Sequence, residues 1–377
     1  MAENAAGSRV VVVGGGVLGT MHAYAASRRG FRVVHLEREA GPRGASVRNF
    51  GLVWVSGRAA GPELALAQRA RDLWARIGAE VPGAGFRPRG SLTVARTAAE
   101  LAVCEHAARS AEAAARGFEL LGADGVRKAN PALRGELLGG LLCHRDGSVE
   151  PGQVLGAIRA HLSADPGYTY LPNRQAVELG PSSVRDHTGA WHTGDLVVQA
   201  TGAALTGVGG DRLSAAPIRR CRLQMMQTAP LGGELTTAVA DGDSFRYYPA
   251  YRDAGLDELG PQRPLAAEHR MQLLMVQRAD GGLTIGDTHA YDEPFDFAVE
   301  EPPYDHLREV AEALLGRPLP RVMRRWAGVY SETTDGALYH RSSLGPGVIA
   351  VTAPGGRGMT CSPAIAEETF ELEGFGA

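Results

Sequence analysis

Three rhythms of apolar and polar positions divide the chain. Residues 9–13, RVVVV, form an unbroken β-branched run, the pattern of a strand buried on both faces. An alanine-rich helical spacing follows over 17–29, and Phe31–Leu36 form a second buried run. Apolar positions at Leu64, Leu66, Leu73, Trp74 and Ile77 predict a helix over 61–79. A short strand is expected at 91–95 and a further helix at 98–116. Pro151 stands at a natural first helical position and opens a helix to about 163. Strands are predicted at 174–180, 183–192 and 196–200. From 216 to 290 the texture turns to alternating, aromatic-bearing segments (RRCRLQMMQT, FRYYPAY, MQLLMVQ, GLTIGDT), which predicts a mostly antiparallel sheet. A helix at about 303–315 and a strand in RRWAGVYS follow. The end reverts to an α/β texture, with a strand at 348–351, a loop TAPGGRGMTCSP and a closing helix from Pro363.

This order predicts an α/β protein. A discontinuous Rossmann-like dinucleotide-binding domain takes residues 1–55, 150–215 and 325–377. A mostly antiparallel sheet domain, 56–149 and 216–324, roofs its crevice and takes the substrate. The stretch GPRGASVRNFGLVW, 41–54, is too rich in glycine and charge for a regular element and reads as a loop returning to the ligand.

The candidate chemistry begins between the first two runs. Gly14, Gly16 and Gly19 are spaced as GxGxxG between strand and helix, and the second strand ends on Glu37. Gly14 permits a tight turn, Gly16 lets backbone amides approach a pyrophosphate, and Gly19 lets helix and strand pack closely. The acid suits a ribose hydroxyl and disfavours a 2′-phosphate, so NADP is set aside while FAD and NAD both remain.

With 377 residues the chain can build a sizeable core. A formal net charge of -3, with signs interspersed, points to neither nucleic acid nor an anionic membrane. No apolar run is long enough to span a bilayer and no leader precedes the first strand, so a cytoplasmic protein is expected. Cys104, Cys143, Cys221 and Cys361 are far apart and form no metal-binding pattern, which predicts reduced, buried thiols and no metal. No Ser-His-Asp, Cys-His or paired-carboxylate pattern identifies an essential base. Oligomeric state is left open.

The whole chain resembles the superfamily of FAD-dependent amine oxidases that includes D-amino-acid, glycine and sarcosine oxidases. The resemblance lies in the N-terminal fingerprint, GSVEP, LVVQATGA and APGGRGMTCSP, the last being its most specific sign. It implies FAD. Gly14, Gly16, Val17, Leu18 and Gly19 would hold the pyrophosphate, and Glu37, with Arg38 beside it, the ribose. Ser46, Arg48 and Asn49 would lie beside the flavin, Val177 would touch adenine through its backbone, and Thr201 and Gly202 would close the crevice. Gly355, Gly356, Gly358, Met359 and Thr360 would face the pyrimidine side of the ring, where backbone donors stabilise the anionic reduced form.

Departures from the family matter as much. Gly328 stands where sarcosine-oxidase-like members attach FAD through cysteine, so non-covalent FAD is expected. Thr284 takes the place of a lysine linked to oxygen reactivity, Thr360 that of a lysine meeting the substrate carboxylate, and Tyr330 that of the arginine that grips an amino acid. The usual carboxylate clamp is therefore missing. GASVRNFGLVW and WAGVY further resemble a bacterial subgroup associated with phosphonate breakdown. A phosphonate needs arginine forks, for which Arg48, Arg58, Arg222, Arg246 and Arg357 are candidates against the alternative of ordinary surface arginines. Arg48, Arg357, Tyr247, Tyr248, His289 and Tyr330 are the expected substrate contacts. One of the two adjacent tyrosines should face the ligand and the other away, as on a strand. A structural or surface role competes for His289, and Trp54 and Trp326 are expected in the core.

The expected activity is oxidation of a small primary or secondary amine by hydride transfer to flavin N5, with an aminophosphonate or its N-methyl derivative as substrate and O2 or another acceptor taking the electrons. A D-amino-acid, glycine or sarcosine-type oxidase is the alternative, and an RNA-modifying or binding flavoprotein the reading from another class.

Overall fold

The computed structural model describes residues 7–375. Its parallel sheet, with one antiparallel edge strand at His340–Gly345, runs through that strand, Val348–Thr352, Leu196–Gln199, Arg9–Val13, Arg32–Leu36 and Tyr168–Leu171. The valine run is central. Val10–Val13 pair in parallel with Leu196–Gln199 on one side and Val33–Leu36 on the other. Alternation sorts its side chains: Val10 and Val12 enter the helical side of the core, Val11 and Val13 the opposite side. The helical side is built by the fingerprint helix Val17–Arg28, the helix Pro62–Glu80 and the terminal helix Gly358–Leu372, with Tyr24, Trp74, Ile365 and Phe370 buried among them. A small antiparallel sheet, Ala176–Gly180, Ser183–Asp186 and Trp191–Thr193, covers the other side through Ala176 and Val184.

The second sheet has eight strands in the order Val322–Thr333, Ile218–Pro230, Gly282–Gly286, Leu274–Gln277, Ala238–Ala240, Ser91–Ala95, Gly139–Cys143 and Phe118–Gly122. It is antiparallel except where Ala238–Ala240 runs parallel to Ser91–Ala95. Period-two alternation again assigns the faces. Met226 and Met275 pack toward the helix Glu301–Leu315, while Met225 and Leu274 join Trp54, Leu223 and Tyr248 on the face turned to the parallel-sheet body.

A buried carboxylate ties the sheet to the returning loop. Asp146 accepts hydrogen bonds from Val55 N (2.5 Å), Ser56 N (3.0 Å), Ser56 Oγ (2.6 Å) and Ser91 Oγ (2.6 Å). Burial raises its pKa, and these four donors oppose the rise.

The fold class is as expected, and several elements differ. FRYYPAY is not a strand: Ser244–Tyr247 is one helical turn and Pro249–Tyr251 a 3-10 turn. The helix expected at 98–116 breaks after Ala108 and resumes only at Ala113–Arg116. The helix after Pro151 starts at Val154, and 183–192 is a hairpin, with strands Ser183–Asp186 and Trp191–Thr193 joined by a turn at 187–190. The terminal helix opens at Gly358, five residues before Pro363. Residues 325–333 run in the eight-stranded sheet rather than with the parallel one.

Candidate cofactor and substrate site

The glycine loop leaves the central strand at its carboxyl end. Gly14 has φ of +112°, and a Cβ there would lie 2.4 Å from the Ala200 carbonyl oxygen. At Gly19 a Cβ would lie 1.8 Å from the Gly14 oxygen, so strand and helix approach this closely only through glycine. Glu37 closes over the loop: its carboxylate accepts from Gly15 N (2.6 Å) and Glu39 N (2.9 Å). Two residues that the sequence pattern did not single out brace the same turn. His35 Nε2 donates to Gly14 O (2.9 Å), and Arg159 donates to Gly15 O (3.2 Å). Burial lowers the His35 pKa to about 4, which keeps the ring neutral in this role.

Beyond the loop a cavity of about 280 Å³ opens between the two sheets. Gly16, Val17, Leu18, Ser46, Asn49 and Gly202 line one end. Ser46 Oγ accepts the helix-start N–H of Val17 at 2.9 Å, and Asn49 is fixed by bonds to Ala45 O (2.8 Å) and Gly51 N (2.6 Å). Gly355, Gly356, Arg357, Gly358, Met359 and Thr360 supply a second wall. Gly14, Gly19 and Thr201 stand behind these walls, the last donating to Ala204 O at 3.3 Å. Glu37 lies at the loop but not on the cavity wall, and Arg38 is exposed beside Glu39. Val177 is exposed on the small sheet, so any contact with a cavity ligand would need its backbone. Arg48 turns away to donate to Ala327 O at 2.9 Å and is not a wall residue.

The far end gathers aromatic and charged groups from four segments. Both Tyr247 and Tyr248 line it, because a helical turn, unlike a strand, does not send neighbours to opposite faces. Their rings meet edge-on at 5.1 Å, Tyr247 stacks on His289 at 4.4 Å, and Tyr248 leans on Trp54 at 5.6 Å. His289 is therefore a buried wall residue, and Trp54 is a wall residue as well as a core one; Trp326 is not on the wall. Tyr330 also lines the cavity, and burial pushes its phenol well above the usual range.

Of the five candidate arginines only two reach the wall. Arg58 and Arg357 each place a guanidinium nitrogen 3.7 Å from the same Glu63 Oε1. Arg222 donates to Ala298 O, and Arg246 pairs with Asp243 and the Gly260 carbonyl, both outside the cavity. Thr360 is a tie rather than a substrate contact: its Oγ1 accepts from Trp54 N (2.9 Å) and donates to Leu52 O (3.2 Å). Thr284 is buried within its strand and off the wall. Glu63, Gln272 and Asp287 are wall residues that sequence reasoning missed; the one available signal was the position of Asp287 directly after the strand GLTIG.

The lining suits a polar cofactor at the glycine-loop end and an amine-sized substrate at the aromatic end. Trp54 Nε1, Gln272 Oε1, Asp287 Oδ1 and the Tyr330 hydroxyl are buried on its wall without hydrogen-bond partners. Buried polar groups are seldom left so unless a ligand completes them. Gly16 and Gly202 on the loop side leave backbone exposed to the cavity, which allows the close approach a pyrophosphate requires. No cysteine lines the cavity, and the backbone of Arg48 lies 3.2 Å from where a Cβ on Gly328 would be. Among the described residues no cluster of His, Cys, Asp or Glu is arranged to hold a metal, and no helix is long and apolar enough to cross a membrane.

A family model described as DAO: FAD dependent oxidoreductase matches residues 9–372. The chain is 24% identical over 379 residues to an opine oxidase subunit of Agrobacterium tumefaciens (strain Ach5), covering 94% of this chain and 91% of that protein. Among solved structures it is similar to glycine oxidase from Geobacillus kaustophilus, with a TM-score of 0.77, 18% identity and coverage of 98% of this chain and 96% of that chain. Iminodiacetate oxidase from Chelativorans sp. BNC1 aligns with a TM-score of 0.73 and 18% identity over 98% of this chain and 96% of that one. At these identities the structural matches establish a shared fold.

Proposed function

Because this chain belongs to the DAO family of FAD-dependent oxidoreductases, we propose that it oxidises a small amine bearing an anionic group, an aminophosphonate or its N-methyl derivative. FAD, when bound, supplies the hydride acceptor. The glycine loop, Ser46, Asn49 and residues 355–360 would hold it, non-covalently given Gly328 and the absence of cysteine from the wall.

The observation that carries the substrate class is the Arg58–Glu63–Arg357 cluster on the cavity wall. Two guanidinium groups share one carboxylate, which leaves net positive charge facing the cavity. A phosphonate dianion can engage both forks at once, whereas a carboxylate matches one. These arginines orient the substrate by its anion, and Trp54, Tyr247 and Tyr248 exclude water from its carbon chain. A carboxylate-bearing amine is the second reading, favoured by the likeness to glycine oxidase and iminodiacetate oxidase.

Anaerobic bleaching of the flavin with matched amines separates the two. The aminoalkylphosphonate should bleach faster than glycine, sarcosine or D-alanine. Arg357→Ala should then lower kcat/KM for the phosphonate by roughly ten- to a hundred-fold, the loss of one charge-assisted hydrogen bond. Faster bleaching by the carboxylates would remove the phosphonate and leave the second reading.

A further inference from the structure

The cavity has a second pole opposite in sign to the arginines. Asp287 directly follows the strand Gly282–Gly286 on the cavity wall, only 5% exposed, with its backbone N–H bound to Gln272 O at 2.9 Å. No arginine pairs with it, since Arg58 and Arg357 are turned to Glu63. One carboxylate oxygen has no partner, and the other lies 3.9 Å from His289 Nε2. Tyr247 and Tyr248 face it from the helical turn, Gln272 from the preceding strand's approach and Cys221 from the neighbouring strand. Arg270 lies on the outer side of His289, donating to its carbonyl at 3.4 Å. A buried carboxylate with no arginine or lysine partner and only a histidine 3.9 Å away is costly to ionise, and this one opens onto a cavity proposed to take an amine.

We propose that Asp287 receives the substrate's ammonium group and takes its proton, with His289 steadying the resulting carboxyl. The proposal rests on the amine-oxidation reading above. An N–H bond of the ammonium breaks, the proton passes to the Asp287 oxygen, and the electron pair stays on nitrogen. That lone pair is what allows the adjacent carbon to release a hydride and become an iminium. The carboxyl returns its proton to solvent as product leaves. His289 Nδ1–H donates to Arg270 O at 2.9 Å, so Nε2 is the atom that faces Asp287, and in the neutral ring its lone pair would accept from the protonated acid. Burial holds the Asp287 carboxyl above the ordinary carboxylate range, which brings it closer to the pKa of the group it must deprotonate.

Two measurements on the FAD-loaded protein test this. In anaerobic flavin reduction, the wild-type rate at low substrate should rise with pH and level off once Asp287 is ionised. Asp287→Asn should be slower by roughly a hundred-fold or more at pH 7 and climb steadily toward the pKa of the free amine, because only neutral amine from solution would then react. An unchanged pH profile in a variant with normal flavin spectrum and melting temperature would overturn the proposal. The second needs no variant. 2-Amino-2-methylpropylphosphonate has no hydrogen on the amine-bearing carbon, so its binding can be followed by calorimetry at pH 8.5 in buffers of differing ionisation enthalpy. Wild-type protein should release no proton to buffer, since Asp287 keeps it; release of one proton would refute the assignment. If only carboxylate amines bleach the flavin, 2-aminoisobutyrate replaces the phosphonate probe, so loss of the phosphonate reading leaves the Asp287 test intact.

Discussion

Glu37 shows how one side chain can shape a loop from within the fold. Its carboxylate holds Gly15 N and Glu39 N, which fixes the turn on which a pyrophosphate would rest. Glu37→Ala should weaken FAD binding by about ten- to a hundred-fold, as one charge-assisted hydrogen bond predicts. Titration of apo-protein with FAD measures this, and unchanged affinity would detach Glu37 from the cofactor. Residues of this kind were legible because backbone geometry restricts them: only glycine fits at Gly14 and Gly19. Glu63 and Asp287 were not, since a lone acid has no spacing signature and acquires meaning only where separate segments converge. The arginine shortlist was too broad for the same reason. Burial alone does not tell Arg58, on the wall, from Arg222, whose guanidinium caps a carbonyl elsewhere.

Among elements, the terminal helix carries the clearest lesson. Pro363 argued for a helix beginning there, yet the helix starts at Gly358 and runs through it. Proline has no N–H for the carbonyl four residues earlier. Here that carbonyl, Met359 O, accepts the indole N–H of Trp74 at 3.0 Å, and Thr360 O lies 3.1 Å from the same nitrogen. A distant indole thus completes the turn that walls the cavity, and sequence reading has no access to it. Trp74→Phe should leave the carbonyl unpaired at a cost of about 1–3 kcal/mol. A lower melting temperature together with weaker FAD binding is expected; full retention of both would show that the turn stands without the indole. FRYYPAY was misread for a related reason. Its alternating aromatics fit a strand, but Asp241 Oδ1 accepts from Ser244 N (3.3 Å) and Leu273 N (3.0 Å) and bends the chain into a helical turn.

At the scale of the whole molecule, the discontinuous parallel sheet and the antiparallel roof could be read from changes in periodicity, because each sheet imposes its own burial pattern on its strands. One whole-chain count bears on the electron acceptor. The sequence contains a single lysine, Lys128, exposed on the short helix Ala123–Ala129. No lysine ammonium can therefore stand beside the flavin as in oxidases that use a lysine for oxygen reactivity. Reoxidation by dioxygen should be slow, with an artificial dye outpacing air in steady-state turnover. Rapid peroxide formation would show that another group does the lysine's work.

The interleaving of the parallel sheet also bears on synthesis. Arg9–Val13 emerges from the ribosome early, yet its neighbour Leu196–Gln199 and the next strand out, Val348–Thr352, are made much later. The fingerprint helix likewise waits for Gly358–Leu372 before its apolar residues around Met21 and Tyr24 are covered. The glycine loop is thus translated well before the strands and the helix that complete it. A nascent chain carries it half-built through most of elongation, exposing apolar surface that chaperones would recognise. Cofactor capture must then follow translation of the final helix, so flavin supply would govern how many finished chains mature and would have little influence on those still being made.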